Sequence, residues 1–350
     1  MKKRILITSI GGNFSHDLIR ALRMSKKIFI LGTDIKYTPN SYFLDKFEKI
    51  PDPKIDREKY IKKLMYLCKK YKINFVFPCS ENECVEISKN FKMLNKLKIK
   101  TSVSNFEIMK NLIDKHILFK ILKKNKINVG EWFPLNNFND LKKIVKKMGY
   151  PNKKLVLKPR RGSGSKGVII LDSKVKVFKY LLNDIKRFCG TGSLKAIRRE
   201  LNINKKNLSN YFVMPYYNDK TFDVDCLAKN GLMKLCVPRM RTYQNALSPT
   251  NEGCKIMNNK KIEKYCKDII KALNINGACD FDIILIKNKK PQIIDASCRL
   301  SGSSTASLSI GINFPLMLLK LLFKEKITMK KHKKIYQVFP QNRFELVKKI

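Results

Sequence analysis

The sequence is poor in acidic residues, histidine and tryptophan, and these shortages exclude several classes of protein. Its 350 residues include 28 Asp and Glu, three His and one Trp against 74 Lys and Arg, for a net charge of +46. So few carboxylates exclude an acidic disordered chain, and a hydrophobic share of 44% excludes a polar tail protein. A chain of this length can bury a sizeable core and is typical of two or three lobes.

Long hydrophobic runs are also missing. The longest candidate, from Phe314 to Phe323, contains Lys320 and is shorter than the ~18 residues that a membrane helix needs. The basic and then apolar N-terminus resembles the start of a signal peptide. However, the run from Ile5 to Ile10 leads directly into Gly11 and Gly12 without a small-residue cleavage site. We interpret it as a first β-strand, and we expect no membrane span.

The ten cysteines form no CxxC pair, and the three histidines lie far apart in the sequence. A zinc site is therefore not expected. Several cysteines, including Cys226, Cys236 and Cys279, fall in strand-like apolar runs, as small hydrophobic residues do. Reduced thiols and a cytoplasmic location fit this cysteine usage best.

The strong positive charge raises the alternative of nucleic-acid binding. Only 13 of the 74 cationic residues are Arg, and the lysines are scattered over the whole length. Proteins that read bases usually cluster Arg and aromatic residues on one face. The best local case is the segment 192–211, which loosely resembles a helix-turn-helix. The scatter favours a solvated surface that attracts anionic substrates, with no dedicated nucleic-acid partner.

The first hundred residues alternate between strand-like and helix-like segments, which predicts a parallel, doubly wound sheet. The predicted strands are Arg4–Ser9, Ile28–Gly32 and Phe75–Phe77, and the predicted helices are Phe14–Met24 and Lys59–Tyr71. The Gly11-Gly12 turn followed by Asp34 mimics a dinucleotide fingerprint. It lacks the GxGxxG spacing, so it is weak evidence for NAD binding.

After a predicted helix over 111–126, the pattern changes to strands joined by short turns, which predicts antiparallel pairing. The segment 174–209 is basic and helix-prone, and we expect it to form a lid or an insertion. The predicted strands are 154–158, 168–171, 211–214, 223–228, 234–238, 281–287 and 291–295.

A glycine- and serine-rich segment follows the strand that ends at Lys158. It spans residues 162–167 and contains three glycines, so free backbone N–H groups can wrap phosphate oxygens there. The lysine precedes the glycines and no helix follows them, which excludes a Walker A loop. An ordinary glycine-rich hairpin is the alternative.

A second segment carries acidic residues on two neighbouring strands. If these strands form a hairpin, Asp282 and Asp295 face the same side, and Ser297 shares that face because strand side chains alternate with a period of two. Two carboxylates and a hydroxyl are hard oxygen donors of the kind that Mg²⁺ prefers. Arg299 continues the same face and would act on a transferring phosphoryl group. The alternative is a pair of solvated strand ends.

Together and in this order, these segments resemble the ATP-grasp superfamily over nearly the whole chain. The run 294–303, continued by 311–315, follows the family pattern EINPRLSGS … GVNFP. The resemblance is closest to stand-alone relatives of one synthetase half of the carbamoyl phosphate synthetase large subunit. It implies an α/β fold that is α+β in its C-terminal part. The implied domains are a Rossmann-like domain that does not bind NAD (1–108), an ATP-grasp domain with a small lobe (109–215) and a large lobe (216–330), and a tail (331–350).

The resemblance also implies which residues bind ATP. Asp114-Lys115 is similar to the family's DK signature, whose lysine reaches the phosphates. Lys158 and the 162–167 loop are similar to the phosphate-binding lysine and the flexible flap, and 213–217 lies where the hinge strand holds adenine. The implied ATP-binding residues are Lys115, Lys158, Gly162, Ser163, Gly164, Ser165, Gly167, Met214, Pro215, Tyr216, Tyr217 and Asp223.

Metal-binding and catalytic roles are implied in the same way. Mg²⁺, with Mn²⁺ as an alternative, is expected on Asp282, Asp295 and Ser297. Arg299 is expected to stabilise the phosphoryl group in transfer. The segment Val237-Pro-Arg239-Met-Arg241 resembles the family's PRxR stretch, so Arg239 or Arg241 is expected to anchor a substrate carboxylate bidentately.

The sequence departs from the family pattern at several of these positions. Asp295 stands where the family has Glu, Ser297 where it has Asn, and Pro215 where the hinge has Glu. The family's ribose-binding Glu falls on Thr221, with Asp223 or Asp225 nearby. These departures leave open a non-catalytic, nucleotide-binding member.

The chemistry implied by the resemblance is ligation. A carboxylate attacks the γ-phosphate of MgATP, and an amine then displaces phosphate from the acyl phosphate to form an amide. No covalent enzyme nucleophile is needed, in keeping with the lack of a Ser–His or Cys–His pairing. The expected partners are a small-molecule carboxylate and an amine, and a homodimer is left open. Because the chain contains no glutaminase segment, amide formation on an amino acid or aminosugar is favoured over carbamoyl phosphate synthesis.

Overall fold

The computed structural model describes residues 3–25, 27–162, 164–180, 188–242, 253–287, 290–327 and 334–340. They form three sheets, one parallel, one mixed and one antiparallel. The mixed α/β class is the one that the sequence predicts.

The N-terminal lobe is a five-stranded parallel sheet in the order β3-β2-β1-β4-β5. The buried residues of its central strands are mostly apolar, as expected for strands covered on both faces. The sequence missed β3, which reads KFEK and lies half exposed at the sheet edge, where charged side chains stay in water. The elements are β1 (Lys3–Ile7), α1 (Asn13–Arg23), β2 (Ile28–Asp34), β3 (Lys46–Lys49), α2 (Arg57–Lys70), β4 (Phe75–Phe77), α3 (Glu81–Lys89), α4 (Phe91–Lys96) and β5 (Lys100–Thr101).

The second sheet has six strands in the order β6-β11-β7-β8-β10-β9. Its hairpin β7–β8 is antiparallel, as predicted, and it carries the glycine-rich loop at its tip. The elements are α5 (Phe106–Ile113), α6 (Lys115–Lys124), β6 (Phe133–Pro134), α7 (Phe138–Lys147), β7 (Leu155–Pro159), β8 (Ile169–Leu171), β9 (Lys179–Tyr180), β10 (Gly190–Gly192), α8 (Leu194–Ile203) and β11 (Tyr211–Pro215).

Two predictions for this region were wrong. The helix expected over 111–126 is two helices, because the Asp114 side chain caps α6 by accepting from the backbone N–H groups of His116 and Ile117. The expected insertion over 174–209 includes β9, β10 and α8, and β10 pairs with β8 in the same sheet. Within 192–211 there is a single α-helix followed by the 3₁₀ turn Leu208–Asn210, so a helix-turn-helix does not form.

The third sheet is antiparallel in the order β16-β15-β12-β13-β14-β17. The predicted hairpins β12–β13 and β15–β16 are confirmed. The edge strand β17 lies within the predicted C-terminal tail and pairs with β14. The elements are β12 (Lys220–Lys229), β13 (Leu232–Arg241), β14 (Cys254–Ile256), α9 (Lys260–Leu273), β15 (Gly277–Ile286), β16 (Lys290–Ser297), α10 (Phe314–Leu322) and β17 (Tyr336–Val338).

The N-terminal lobe packs against the antiparallel sheet. Backbone Ala278 donates to the carbonyl of Ser102 at 2.9 Å, and the Ser104 hydroxyl donates to the carbonyl of Asn276. Asn313, at the start of α10, donates to the carbonyl of Ala21 in α1 at 2.8 Å. These contacts hold the N-terminal lobe against the start of β15 and against α10.

The described residues contain no single helix that is long and apolar enough to cross a membrane. Two consecutive helices, Ser304–Ile310 and Phe314–Leu322, are together as long and as apolar as a membrane span. However, the chain bends by 100° between them.

Candidate active site

Two lysines from the second sheet's lobe meet the acidic hairpin of the third sheet. Lys115, the first residue of α6, lies 3.0 Å from Asp295 through its Nζ atom, and it donates to the carbonyl of Gly162 at 2.7 Å. Lys158, on β7, donates to the carbonyl of Ile294, the residue before Asp295, at 3.1 Å. The phosphate-binding candidates and a metal-binding candidate therefore share one site.

The acidic candidates lie on facing positions of β15 and β16. Asp282 is paired in register with Asp295, and Asp280 is paired with Ser297. The side chains of Asp282 and Asp295 each keep 25% of their surface exposed, so they remain reachable from the cleft. The hairpin thus places two carboxylates and a hydroxyl side by side at its open end.

Burial and the neighbouring charges shift the protonation of this group. Burial lowers the pKa of Lys158 to about 8, although the nearby Asp295 carboxylate opposes that shift. Burial raises the pKa of Asp282 to about 7 against the attraction of Arg241, and the Asp223 and Asp295 carboxylates raise it further. The amine of Lys158 and the carboxyl of Asp282 thus both have pKa values near neutrality, as often occurs at functional sites.

The sequence suggested Arg241 as a candidate to anchor a substrate carboxylate. In the structure Arg241 is paired with two carboxylates of the protein itself. Its guanidinium holds Asp223 through Nε and Nη2, the shortest distance being 2.7 Å, and it also reaches Asp282 at 3.0 Å. Asp223 is only 2% exposed, and its pKa is lowered because Arg241 outweighs the cost of burial. Asp223 is therefore turned into this ion pair rather than toward a ribose.

Arg239, the other candidate to anchor a substrate carboxylate, lies inside the protein. Its side chain has no exposed surface and forms an ion pair with Asp225, which is equally buried. Its remaining terminal N–H groups donate to the hydroxyls of Ser301 and Ser303 and to the carbonyl of Ser303. This network fixes the loop after β16 to β12 and β13.

The glycine-rich loop has the backbone that its sequence suggests. Gly162, Gly164 and Gly167 all have positive φ, as does Ser165. A Cβ atom on Gly167 would lie 2.7 Å from Pro159, whereas one on Gly164 would meet nothing within 4 Å. The tip of the loop is thus open, while its base is tightly packed. Ser163 lies outside the described residues.

The predicted adenine hinge spans the end of β11 and the residues that follow it. Met214 is buried, Pro215 and Tyr216 are partly exposed, and backbone Tyr216 donates to the carbonyl of Lys154 at 3.2 Å. Tyr217 is half-buried, and burial raises its pKa. A cavity of about 500 Å³ adjoins the hinge and is lined by Glu131, Met148, Lys153, Lys154, Leu155, Pro215, Tyr216 and Asn218.

Arg299 lies just beyond β16 and is partly buried. Its Nη1 group donates to the carbonyl of Leu300 at 2.9 Å. Burial raises the pKa of the Cys79 thiol to about 12, and the charge of Arg299 opposes this shift, which places Arg299 near the carboxyl end of β4. Arg299 therefore stands between the hairpin and the N-terminal lobe.

The sequence reasoning missed two features of the site. Asp114 caps α6 and also holds Arg160 at 2.9 Å and Arg161 at 3.4 Å, which ties the glycine-rich loop to Lys115. Asp280 has an Oδ1 atom without a hydrogen-bond partner among the described residues, and burial raises the pKa of its carboxyl well above the usual range. The sequence could have indicated Asp280, because it lies two residues before Asp282 on the same strand and therefore on the same face.

Comparisons with known proteins find two matching family models. A family model described as "ATP-grasp in the biosynthetic pathway with Ter operon" matches residues 207–344. A second model, described as "PylC-like, N-terminal domain", matches residues 5–109. A comparison with curated protein sequences finds no match.

Several solved structures share the fold at low sequence identity. An L-amino acid ligase from Bacillus licheniformis is 16% identical with a TM-score of 0.65, over 91% of this chain and 73% of that chain. A biotin carboxylase–β,γ-ATP complex from Campylobacter jejuni is 17% identical with a TM-score of 0.68, over 93% and 72%. The biotin carboxylase domain dimer of Hydrogenobacter thermophilus 2-oxoglutarate carboxylase, bound to MgADP and bicarbonate, is 15% identical with a TM-score of 0.66, over 94% and 71%.

The parallel N-terminal sheet, the mixed sheet with the glycine-loop hairpin and the antiparallel sheet with the acidic hairpin thus form a fold that these solved structures share. An ATP-grasp family model thus matches residues 207–344, a PylC-like N-terminal model matches residues 5–109, and the chain has the ATP-grasp fold that these solved structures share.

Proposed function

We propose that this protein is an ATP-dependent carboxylate–amine ligase that acts through an acyl phosphate. The observation that carries the proposal is the 3.0 Å contact between Lys115 and Asp295, with Lys158 bonded one residue away. Cations that suit phosphate and carboxylates that suit a metal therefore meet at one point between two lobes. The solved relatives include an L-amino acid ligase and biotin carboxylases in complex with β,γ-ATP or MgADP, which supports the same chemistry.

Lys115 and Lys158 are assigned to the nucleotide phosphates, and the backbone of 162–167 closes over them. Both ammonium groups are held by carbonyl oxygens, so they are positioned before a ligand arrives. Met214 to Tyr217 is assigned to the adenine. Asp223 is not assigned to the ribose, because Arg241 holds both of its oxygens.

The residues on the acidic hairpin fit Mg²⁺, with Mn²⁺ as an alternative. Asp282, Asp295 and Ser297 offer hard oxygen atoms at neighbouring positions, and the two carboxylates keep part of their surface exposed. The metal would supply charge neutralisation at the phosphates when bound. Arg241 holds Asp282 in place at 3.0 Å, so we assign it as a positioning residue.

The protein's own contribution to the reaction is positioning and electrostatic stabilisation. In the first step the substrate carboxylate oxygen attacks the γ-phosphorus, and ADP leaves. In the second step an amine attacks the acyl carbon, and phosphate leaves with the displaced C–O electrons. Lys115, Lys158 and Arg299 would stabilise the charge that builds on the phosphoryl oxygens.

The substrates proposed are a small-molecule carboxylate and an amine, with amide formation on an amino acid or aminosugar favoured over a carbamoyl phosphate synthetase-like reaction. We also propose a homodimer, supported by the dimeric relative. A cytoplasmic location is proposed as well, because all ten cysteines are present as thiols.

The test is an ADP-release screen with MgATP against pooled amino acids, other carboxylates and amines. We expect ADP release that requires one acid pool and one amine pool, and an equimolar amide product by mass spectrometry. Asp295→Asn is the matched inactive control because it keeps the shape and removes the charge. Nucleotide binding without ADP release in any pool would favour the non-catalytic alternative.

A further inference from the structure

Four cysteines converge on the face of the third sheet that α9 covers. Cys226 on β12 is in register with Cys236 on β13 and with Cys279 on β15, so the three thiols form a row across neighbouring strands. Cys266, a buried residue of α9, completes the group from above. We call Cys226, Cys236 and Cys266 the thiol triad.

The sulfur atoms of the thiol triad all lie within 4.8 Å of one another. A tetrahedral site with metal–sulfur bonds of about 2.3 Å places its sulfur atoms about 3.8 Å apart. The triad would therefore close around an ion through shifts of about 1 Å or less. Cys279 stands next to it, with its Sγ atom 4.0 Å from the carbonyl of Cys226.

The surroundings determine which ions could bind. Cys226, Cys266 and Cys279 have no exposed surface, while Cys236 is partly exposed and offers a way in. The donor set is all sulfur, which selects soft ions over Mg²⁺ or Ca²⁺.

Single buried cysteines are common as small apolar residues, and the sequence favoured that interpretation here. It accounts for each cysteine alone but not for three thiols that converge from two strands and a helix. The CxxC pattern is absent because the ligands come from elements far apart in the chain, and only the strand register and the position of α9 bring them together.

We propose that the thiol triad binds one thiophilic d¹⁰ metal ion, of the Zn²⁺ or Cu⁺ type, with Cys279 within reach as a fourth ligand. Binding replaces the thiol protons by metal–sulfur bonds and releases those protons to solvent, with no change in oxidation state. The ion would fasten α9 to β12 and β13. These are the strands that carry Asp223, Arg239 and Arg241, so the metal would stiffen the support of the proposed ATP site.

The experiment is a titration of the full-length, reduced and metal-free protein with Cd²⁺, whose thiolate complexes absorb in the ultraviolet. Zn²⁺ and Cu⁺ are then added in competition, and their order of displacement identifies the ion that the site prefers. We expect one equivalent to bind, a rise in the thermal unfolding midpoint, and protection of Cys236 from alkylation.

Two variants test the assignment. Cys266→Ala and the near-isosteric Cys236→Ser should each weaken Cd²⁺ binding at least tenfold, and neither should show a thermal shift with the metal. Cys68→Ala is the matched control, because Cys68 is a buried thiol of α2 outside the group, and it should bind like the unsubstituted protein. Circular dichroism without metal confirms that each variant is folded.

Three results would overturn the proposal. They are binding by Cys236→Ser that equals that of the unsubstituted protein, no stoichiometric binding to the fully reduced protein, and mass spectrometry that shows a Cys226–Cys236 disulfide under the conditions of the titration. None of these readouts depends on ATP turnover, so they are independent of the ligase proposal.

Discussion

The protonation of Lys158 links nucleotide binding to pH. Burial on β7 lowers the pKa of this lysine to about 8, so a substantial part of the unliganded protein carries a neutral amine in mildly alkaline solution. A bound polyphosphate favours the charged form of a nearby amine. Nucleotide binding should therefore draw a proton onto Lys158.

The size of the effect follows from this pKa. The unliganded amine is about one-half neutral at pH 8, about one-tenth at pH 7 and about nine-tenths at pH 9. Binding should thus take up about 0.5 proton per nucleotide at pH 8, and the affinity should fall about tenfold from pH 7 to pH 9, or about 1.4 kcal/mol.

The same shift has a defined effect on stability. Because the folded pKa lies below the unfolded value, the unfolded chain binds more protons between about pH 8 and pH 10.5, and this group's contribution to stability rises with pH there.

The assay is isothermal titration calorimetry of ADP binding, with EDTA present, in pairs of buffers that differ in ionisation enthalpy. The control is Lys158→Arg, which keeps a cation that does not deprotonate in this range. Protons carried by the nucleotide are common to both proteins and cancel in the difference. The reasoning would be refuted by no proton uptake at pH 8, or by equal uptake in Lys158→Arg.

Three further predictions follow from the site. Asp295→Ala should abolish ATP turnover with the circular dichroism spectrum unchanged, and near-normal ADP release would contradict the metal assignment. Arg239→Met should lower the free energy of unfolding in urea by about 3–5 kcal/mol, because it leaves a buried carboxylate without its cation. The exposed-pair control Lys264→Met should change it by less than about 0.5 kcal/mol, and equal effects would refute the buried network. Gly167→Ala should cost about 1 kcal/mol more than Gly164→Ala, since both have positive φ but only Gly167 packs against Pro159; equal unfolding midpoints would contradict this.

Local pattern predicted the hairpin β15–β16 and the face that Asp282 and Asp295 share, because strand alternation and a short turn determine both. It failed at β3 and over 174–209, where short or charged strands are held in place by their neighbours in the sheet. A strand of two or three residues carries too little periodicity to be recognised from the chain alone.

The charged residues of the site show the same difference between what the sequence could predict and what it could not. The order of the motifs along the chain was enough to predict the fold, and the alternation on β15 and β16 was enough to place the acids together. The partners of Arg239 and Arg241 could not be predicted, because an ion pair depends on which strand lies beside which and on the loop that packs against them.

The α/β class, the glycine-rich loop and the acidic hairpin could all be predicted from the chain alone, since each depends on residues close together in the sequence. Tertiary structure alone decided that Lys115 meets Asp295, that two arginines are bound to buried aspartates, and that three distant cysteines share one point. The physical reason is that burial and charge pairing depend on contacts between separate elements, which no local pattern encodes.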